Sequence, residues 1–261
     1  MSLQSFNKSL KVVVDNSVQP ASDKKLSASD IDFSNNEFYE NRELSLLKFN
    51  SRVLQQAKSD KHPLLERLMF LLIFSSNLDE FYEIRVSGLK KQLDFGRQRP
   101  GPDGKYAENL LREIHEIVRH ELEEQYRILN EDLFPSLAQE NIHFLYRDKW
   151  DKDVIEWTKS YFYDEVVPVV SPLGLDPAHP FPRLVNKSLN FILSLNGKDA
   201  FGRDSGLAIV PAPRSLPRLI KVPKEIMAEG DNFVFLSSII HAYVEEFFPG
   251  IWTGDDLPSF W

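Results

Sequence analysis

Three polar side chains stand in a row inside an apolar run. Residues Phe70 to Val86 read FLLIFSSNLDEFYEIRV, and Ser75, Ser76 and Asn77 interrupt the run just before the acidic pair Asp79 and Glu80. Two hydroxyls and a carboxamide can donate to and accept from a ligand, with Asp79, Glu80 and Arg85 close by. The same side chains compete with helical backbone bonding, so they also suit a kink or the end of a neighbouring helix. On the local pattern both readings stand, the structural one ahead.

Two other stretches could do chemistry. In Asp176-Pro177-Ala178-His179-Pro180-Phe181-Pro182-Arg183 an imidazole sits among prolines with a carboxylate nearby, a pattern open to acid–base work. No second base or nucleophile is placed beside it, so a rigid loop is the simpler reading. Asn186, Lys187, Ser188 and Asn190 follow, which leaves a polar binding or subunit contact as the alternative. Arg85, Lys90, Lys91, Arg97 and Arg99 form a local basic cluster. It suits a phosphate-contacting edge, or equally a helix end whose dipole favours cations. The phosphate loop, the dinucleotide glycine fingerprint, the G-x-S-x-G elbow and H-E-x-x-H are absent, and none of the six histidines pairs at i, i+4. No catalytic residue and no metal ligand is assigned from spacing.

The elements that position these residues are helical in the first half. Residues 1–36 are polar and aperiodic and are expected to be a disordered tail. Leu46, Phe49, Val53 and Ala57 give a helical stripe with Ser45 as its cap. Pro63 opens a second helix running toward Leu93, with the Ser75–Asn77 break inside it. A glycine- and proline-rich loop, Gly96 to Gly104, precedes a third helix with the stripe Leu110, Leu111, Ile114, Ile117, Val118, Leu122, Tyr126 and Leu129. Phe134-Pro135 is expected to interrupt it. Three helices with short connections predict an antiparallel three-helix bundle over 37–141.

From residue 142 the texture is α+β. Strands are expected over Ile142 to Tyr146, Leu189 to Leu195, Leu207 to Val210 and Asp231 to Phe235, with helices over Lys152 to Phe162 and Leu236 to Phe248. The simplest assembly is a mainly antiparallel sheet in an incomplete α+β domain over 142–261. The last residues, Ile251 to Trp261, read as having no strand or helix that would close such a sheet. Gly197 to Gly206 reads as a hairpin-like loop.

Composition bounds the function. The chain has 261 residues, 42% hydrophobic and 27% charged, enough for a sizeable core. It has no cysteine, which excludes disulfides and thiolate metal sites and fits a cytoplasmic protein. No apolar run is long enough to span a membrane, and Val12–Val14 is too short for a signal segment. A net charge of −8 argues against nucleic-acid binding by the chain as a whole.

Several long stretches carry a resemblance. Glu43 to Leu54 (ELSLLKFNSRVL), Pro63 to Arg67, Phe74 to Phe81 (FSSNLDEF), Ser171 to Pro182 (SPLGLDPAHPFP), Asn186 to Phe191, Gly206 to Val210, Pro213-Arg214, Pro217-Arg218 and Val234 to Gly250 resemble the long polyphosphate kinases, the ATP–polyphosphate phosphotransferases. The resemblance covers roughly Glu43 to Gly250, and residues 251–261 depart from the family pattern. It implies a helical N-terminal domain followed by part of a head domain. The family's two further domains carry the phosphorylated histidine, the arginines, the magnesium site and most of the polyphosphate tunnel, so this chain is expected to be inactive alone. His179 and His241 fall in matched head-domain segments and are not that histidine. The resemblance makes Asn77 the ATP contact and makes Asp176 to Asn190 a candidate surface for homo-oligomers. ATP and polyphosphate are the implied substrates, with magnesium in the parent enzyme. The charge agrees, since a polyanion needs a basic groove that a −8 chain does not supply. The alternatives are a non-enzymatic dimerisation or regulatory module and a truncated gene remnant.

Overall fold

The structure, a computed structural model, describes residues 32–96, 99–175, 180–196, 206–248, 252–253 and 259–260. Asp176, His179, Arg97 and most of the Gly197 to Gly206 loop lie outside the described residues. The chain forms two compact units, Met1–Lys48 with Glu80–Ile117, and Phe49–Asp79 with Val118–Trp261.

The first unit holds the opening of helix α1 (Arg42–Lys58), helix α3 (Ser87–Asp94) and the opening of α4 (Ala107–Arg127). Asn41, not Ser45, caps α1, because its side-chain oxygen accepts from the Leu44 N–H at 3.1 Å. The same side chain donates to Asp103 at 3.0 Å. Gly104 has φ +76, a left-handed backbone that favours glycine, and a Cβ there would displace the Asn36 side-chain amide, 2.6 Å away. Leu44, Leu47, Phe81, Val86, Leu89, Leu110, Leu111 and Ile114 are buried.

Helix α2 (Leu64–Phe81) runs through a π turn at Tyr82–Val86 into α3. The expected irregularity at Ser75–Asn77 is absent, and those residues are regular helix. The widening comes one turn later. Pro135 likewise does not end its helix. It lacks the N–H that would bond the Glu131 carbonyl, and the chain widens into a π turn at Ile128–Leu133 before α5 (Phe134–Gln139). Asn141, with φ 59, is the left-handed residue that closes this helical run and turns the chain into a strand.

In the second unit the strands form two sheets. One has the order β1 (Ile142–Leu145), β6 (Asp231–Phe235), β5 (Leu219–Lys221). Its β1–β6 pair is parallel, with Phe144 opposite Phe233, whereas β5–β6 is antiparallel. The other is antiparallel throughout: β2 (Leu173–Leu175), β4 (Leu207–Pro211), β3 (Asn190–Asn196) and β7 (Trp252–Thr253), with β8 (Ser259–Phe260) also on β3. The expectation that nothing after residue 250 adds to a sheet is therefore corrected: β3 has an open edge, and short segments rich in β-forming aromatics pair with it. Fold class holds at the coarse level, helix-rich with small, mostly antiparallel sheets.

Helices α6 (Lys152–Tyr161) and α7 (Leu236–Tyr243) share a core with strand residues. Phe162, Phe191, Ala208, Val210, Val234, Ile239 and Ile240 are fully buried there. The β-branched run before Val170 is helical, a π turn at Phe162–Val166 followed by one 3-10 turn containing Pro168.

Candidate nucleotide-contact site

Asn77 lies on α2, one turn before the π turn, and is half-buried. Its partner is Asn50 of α1, only 4% exposed. The Asn50 Nδ2 group donates to the Phe74 backbone carbonyl at 3.0 Å. A carbonyl only accepts, so the Asn50 amide has one orientation, with its oxygen turned toward Asn77. The Asn77 Nδ2 group then donates to Asn50 Oδ1 at 3.1 Å. The chain of two bonds leaves the Asn77 carbonyl oxygen and one N–H with no partner among the described residues. Such a carboxamide can both accept from and donate to a polar ligand. Ser75 and Ser76 make no side-chain hydrogen bond among the described residues.

The helices around Asn50 and Asn77 are tied by further polar contacts. Arg67 of α2 is buried and donates from Nε to the Ala57 carbonyl at 2.8 Å, satisfying an orphan acceptor in the last turn of α1. It also pairs with Asp132, and with Asp60 at 3.4 Å. Glu121 of α4 accepts from the Ser51 hydroxyl, while its Oε2 is buried without a partner among the described residues. Burial pushes this carboxyl upward, opposed by the Ser51 bond and by His120. Glu124 goes the other way: Arg127, then Lys58, hold it down at about 2.

The remaining sequence candidates do not gather into a site. Among the described residues Arg85, Lys90, Lys91 and Arg99 make no ion pair or side-chain hydrogen bond, with Arg85 in the π turn and the two lysines exposed on α3. Asn186 and Ser188 fold a local turn, where Lys187 has φ 56 and Asn190 donates to Ser188. His241 sits beside Arg147 at 3.4 Å, and burial, then that cation, lowers its pKa. Among the described residues no group of three or more acidic or histidine side chains is placed to hold a metal, and no helix is long and apolar enough to cross a membrane.

Asn50 was not singled out by sequence. The buried stripe of α1 is Leu47, Asn50, Leu54 and Ala57, whereas Leu46 and Phe49, expected inside, are 40% and 51% exposed. An asparagine in register with Leu47 and Leu54 was the signal available.

Residues 39–145 match the family model for the polyphosphate kinase N-terminal domain, and residues 154–254 match that for the polyphosphate kinase middle domain. The chain belongs to the polyphosphate kinase family. It is 58% identical over 213 residues to the polyphosphate kinase of Pseudomonas aeruginosa, covering 82% of this chain and 31% of the relative. To that of Neisseria meningitidis serogroup B it is 51% identical over 210 residues, covering 80% and 31%. The crystal structure of polyphosphate kinase from Porphyromonas gingivalis superposes with a TM-score of 0.70 at 27% identity, over 83% of this chain and 31% of that one. The chain therefore spans about a third of the length of the relatives it matches.

Proposed function

We propose that this chain supplies the N-terminal and middle domains of a polyphosphate kinase, with residues 37–141 as a three-helix unit and 142–261 as a head domain. In this reading the whole enzyme moves the terminal phosphoryl group of ATP to polyphosphate through a phosphohistidine. This chain contributes one wall of the ATP site, and the phosphorylated histidine lies on residues outside it. The observation that carries the reading is the amide relay from Phe74 through Asn50 to Asn77, which holds a carboxamide with a free acceptor and a free donor. Such a side chain binds and orients the nucleotide and moves no proton. Magnesium belongs to the parent enzyme. No ligand set for it is assigned among the described residues, and no step is routed through it. The head domain, around Asp176 to Asn190, is read as a homo-oligomer contact, and the cytoplasm as the place of work.

The test is polyphosphate synthesis from ATP. The 261-residue chain is expected to make none. A chimera in which residues 39–254 replace the matching segment of the Pseudomonas aeruginosa enzyme is expected to make it. Synthesis by the chain alone, or a folded chimera that makes none, would overturn the proposal.

A further inference from the structure

Nothing in the packing of α1 requires an amide at Asn50. Leu47 and Leu54, about one turn to either side of it, are buried, as are Phe74 and Leu78 on α2. A leucine suits such a position, and a carboxamide incurs a desolvation cost there. The acceptor that Asn50 satisfies does not need it either. Phe74 stands in regular helix, so its carbonyl has an intrahelical donor in the Leu78 N–H. What Asn50 does accomplish is to fix the sense of one hydrogen bond. Its Nδ2 group is committed to Phe74 at 3.0 Å, so its oxygen is the atom offered to Asn77. An oxygen accepts, so Asn77 turns its Nδ2 group inward at 3.1 Å and carries its carbonyl oxygen at the opposite end of the amide. Among apolar neighbours such a bond is stronger than in water. All three residues lie in one compact unit.

We propose that Asn50 is a positioning residue for the nucleotide: it holds the Asn77 amide in the one orientation that presents a carbonyl oxygen to the ligand. An acceptor at that point takes a hydroxyl or amino group of the nucleoside. Phosphate oxygens only accept at neutral pH, so a polyphosphate chain gains nothing from that oxygen. Without Asn50 the Asn77 amide turns in either sense, and ATP has to order it on binding. The role of Asn50 rests on the proposed contact of Asn77 with ATP.

The experiment is a cycle of variants in the chimera described above, read by the KM for ATP. Asn50→Leu should raise that KM by about threefold to tenfold, leave kcat and the KM for polyphosphate unchanged, and hold or raise the melting temperature. In a chimera already carrying Asn77→Ala, the same substitution should change the KM for ATP by less than about twofold, because its effect passes through Asn77. Asn50→Asp gives a second test. As a carboxylate it cannot donate to Phe74, so the KM for ATP should be raised at about pH 8. Once protonated it has the donor and the acceptor of the amide it replaces, so the KM should fall back toward that of the unsubstituted chimera at about pH 6. The unsubstituted chimera, which carries the same Glu121 beside Ser51, is the reference at each pH. An unchanged KM for ATP in Asn50→Leu overturns the proposal, as does an effect of equal size with and without Asn77. A lowered melting temperature with an unaltered KM does so too, and makes Asn50 a packing residue only. If Asn50→Leu does not fold, the Asn50→Asp chimera decides, and a KM relative to the reference that does not move with pH overturns the proposal. The two readings fail differently. Loss of the Asn50 effect with the Asn77→Ala effect intact removes the positioning role alone, whereas an Asn77→Ala chimera with an unchanged KM for ATP removes the ATP contact and the positioning role together.

Discussion

Glu121→Gln should stabilise this protein at neutral pH and leave it unchanged in acid. One carboxylate oxygen of Glu121 takes the Ser51 hydroxyl, and the other is buried with no partner among the described residues. Burial raises the folded-state pKa above the ordinary value of 4.5. Below that value folded and unfolded chains both carry the proton, and the group contributes nothing to pH dependence. As pH rises past it the unfolded chain releases the proton first, so the folded state binds more protons and unfolding free energy falls with pH. The loss is complete once pH exceeds the raised folded value. A buried polar atom left unsatisfied costs about 1–3 kcal/mol, and the ionised form lies at the upper end. Glutamine keeps the acceptor for Ser51 and removes the charge. The expected gain is about 1–2 kcal/mol at pH 7.5, shrinking to within about 0.5 kcal/mol at pH 4. Urea unfolding followed by circular dichroism at the two pH values reads both numbers. A Glu121→Gln protein less stable than the parent at pH 7.5 would refute the reasoning, because it would mean that the charge has a partner.

Other outcomes follow from the same contacts. Arg67→Met removes the bond to the Ala57 carbonyl and the pairs with Asp132 and Asp60. It should cost about 1–2 kcal/mol in chemical unfolding, since the Ala57 carbonyl loses its buried donor while Asp132 and Asp60 stay solvated, and a cost below about 0.5 kcal/mol would contradict it. Glu124, held at about 2 chiefly by Arg127 and then by Lys58, contributes stability that is full above its ordinary 4.5 and is lost as pH falls toward that lowered value. The Arg127 side chain is 50% exposed, so solvent screens much of this contribution. Arg127→Ala should flatten the acid limb of a stability–pH curve, and an unaltered limb would show that the pair is fully screened.

Long periodic segments were legible in the sequence because one physical signal dominates them. The α4 stripe through Ile114 and Val118 is buried as its spacing predicts, and strands β3, β4 and β6 fall where β-branched and aromatic residues gather. The register of α1 was not legible. Leu46 and Phe49 fit a helical stripe as well as Leu47 and Leu54 do, and only packing decides between faces one residue apart. The end of α4 shows the same limit: Glu121 and Gln125 are inside while Tyr126 is 59% exposed. The parallel β1–β6 pair joins strands far apart in the chain, a contact that local pattern does not encode. The π turns at Tyr82–Val86 and Ile128–Leu133 carry no residue signature of their own, although the second lies just before Pro135. At the site, the family motif pointed to Asn77, whereas the orientation of its amide depends on Asn50, a residue 27 positions away.

The most direct measurement of the central claim is the ATP dependence of polyphosphate synthesis by the chimera carrying Asn77→Ala. Loss of one nucleotide hydrogen bond predicts a KM for ATP raised by about tenfold, equivalent to about 1.4 kcal/mol, with the KM for polyphosphate unchanged. A KM for ATP equal to that of the unsubstituted chimera would contradict the account.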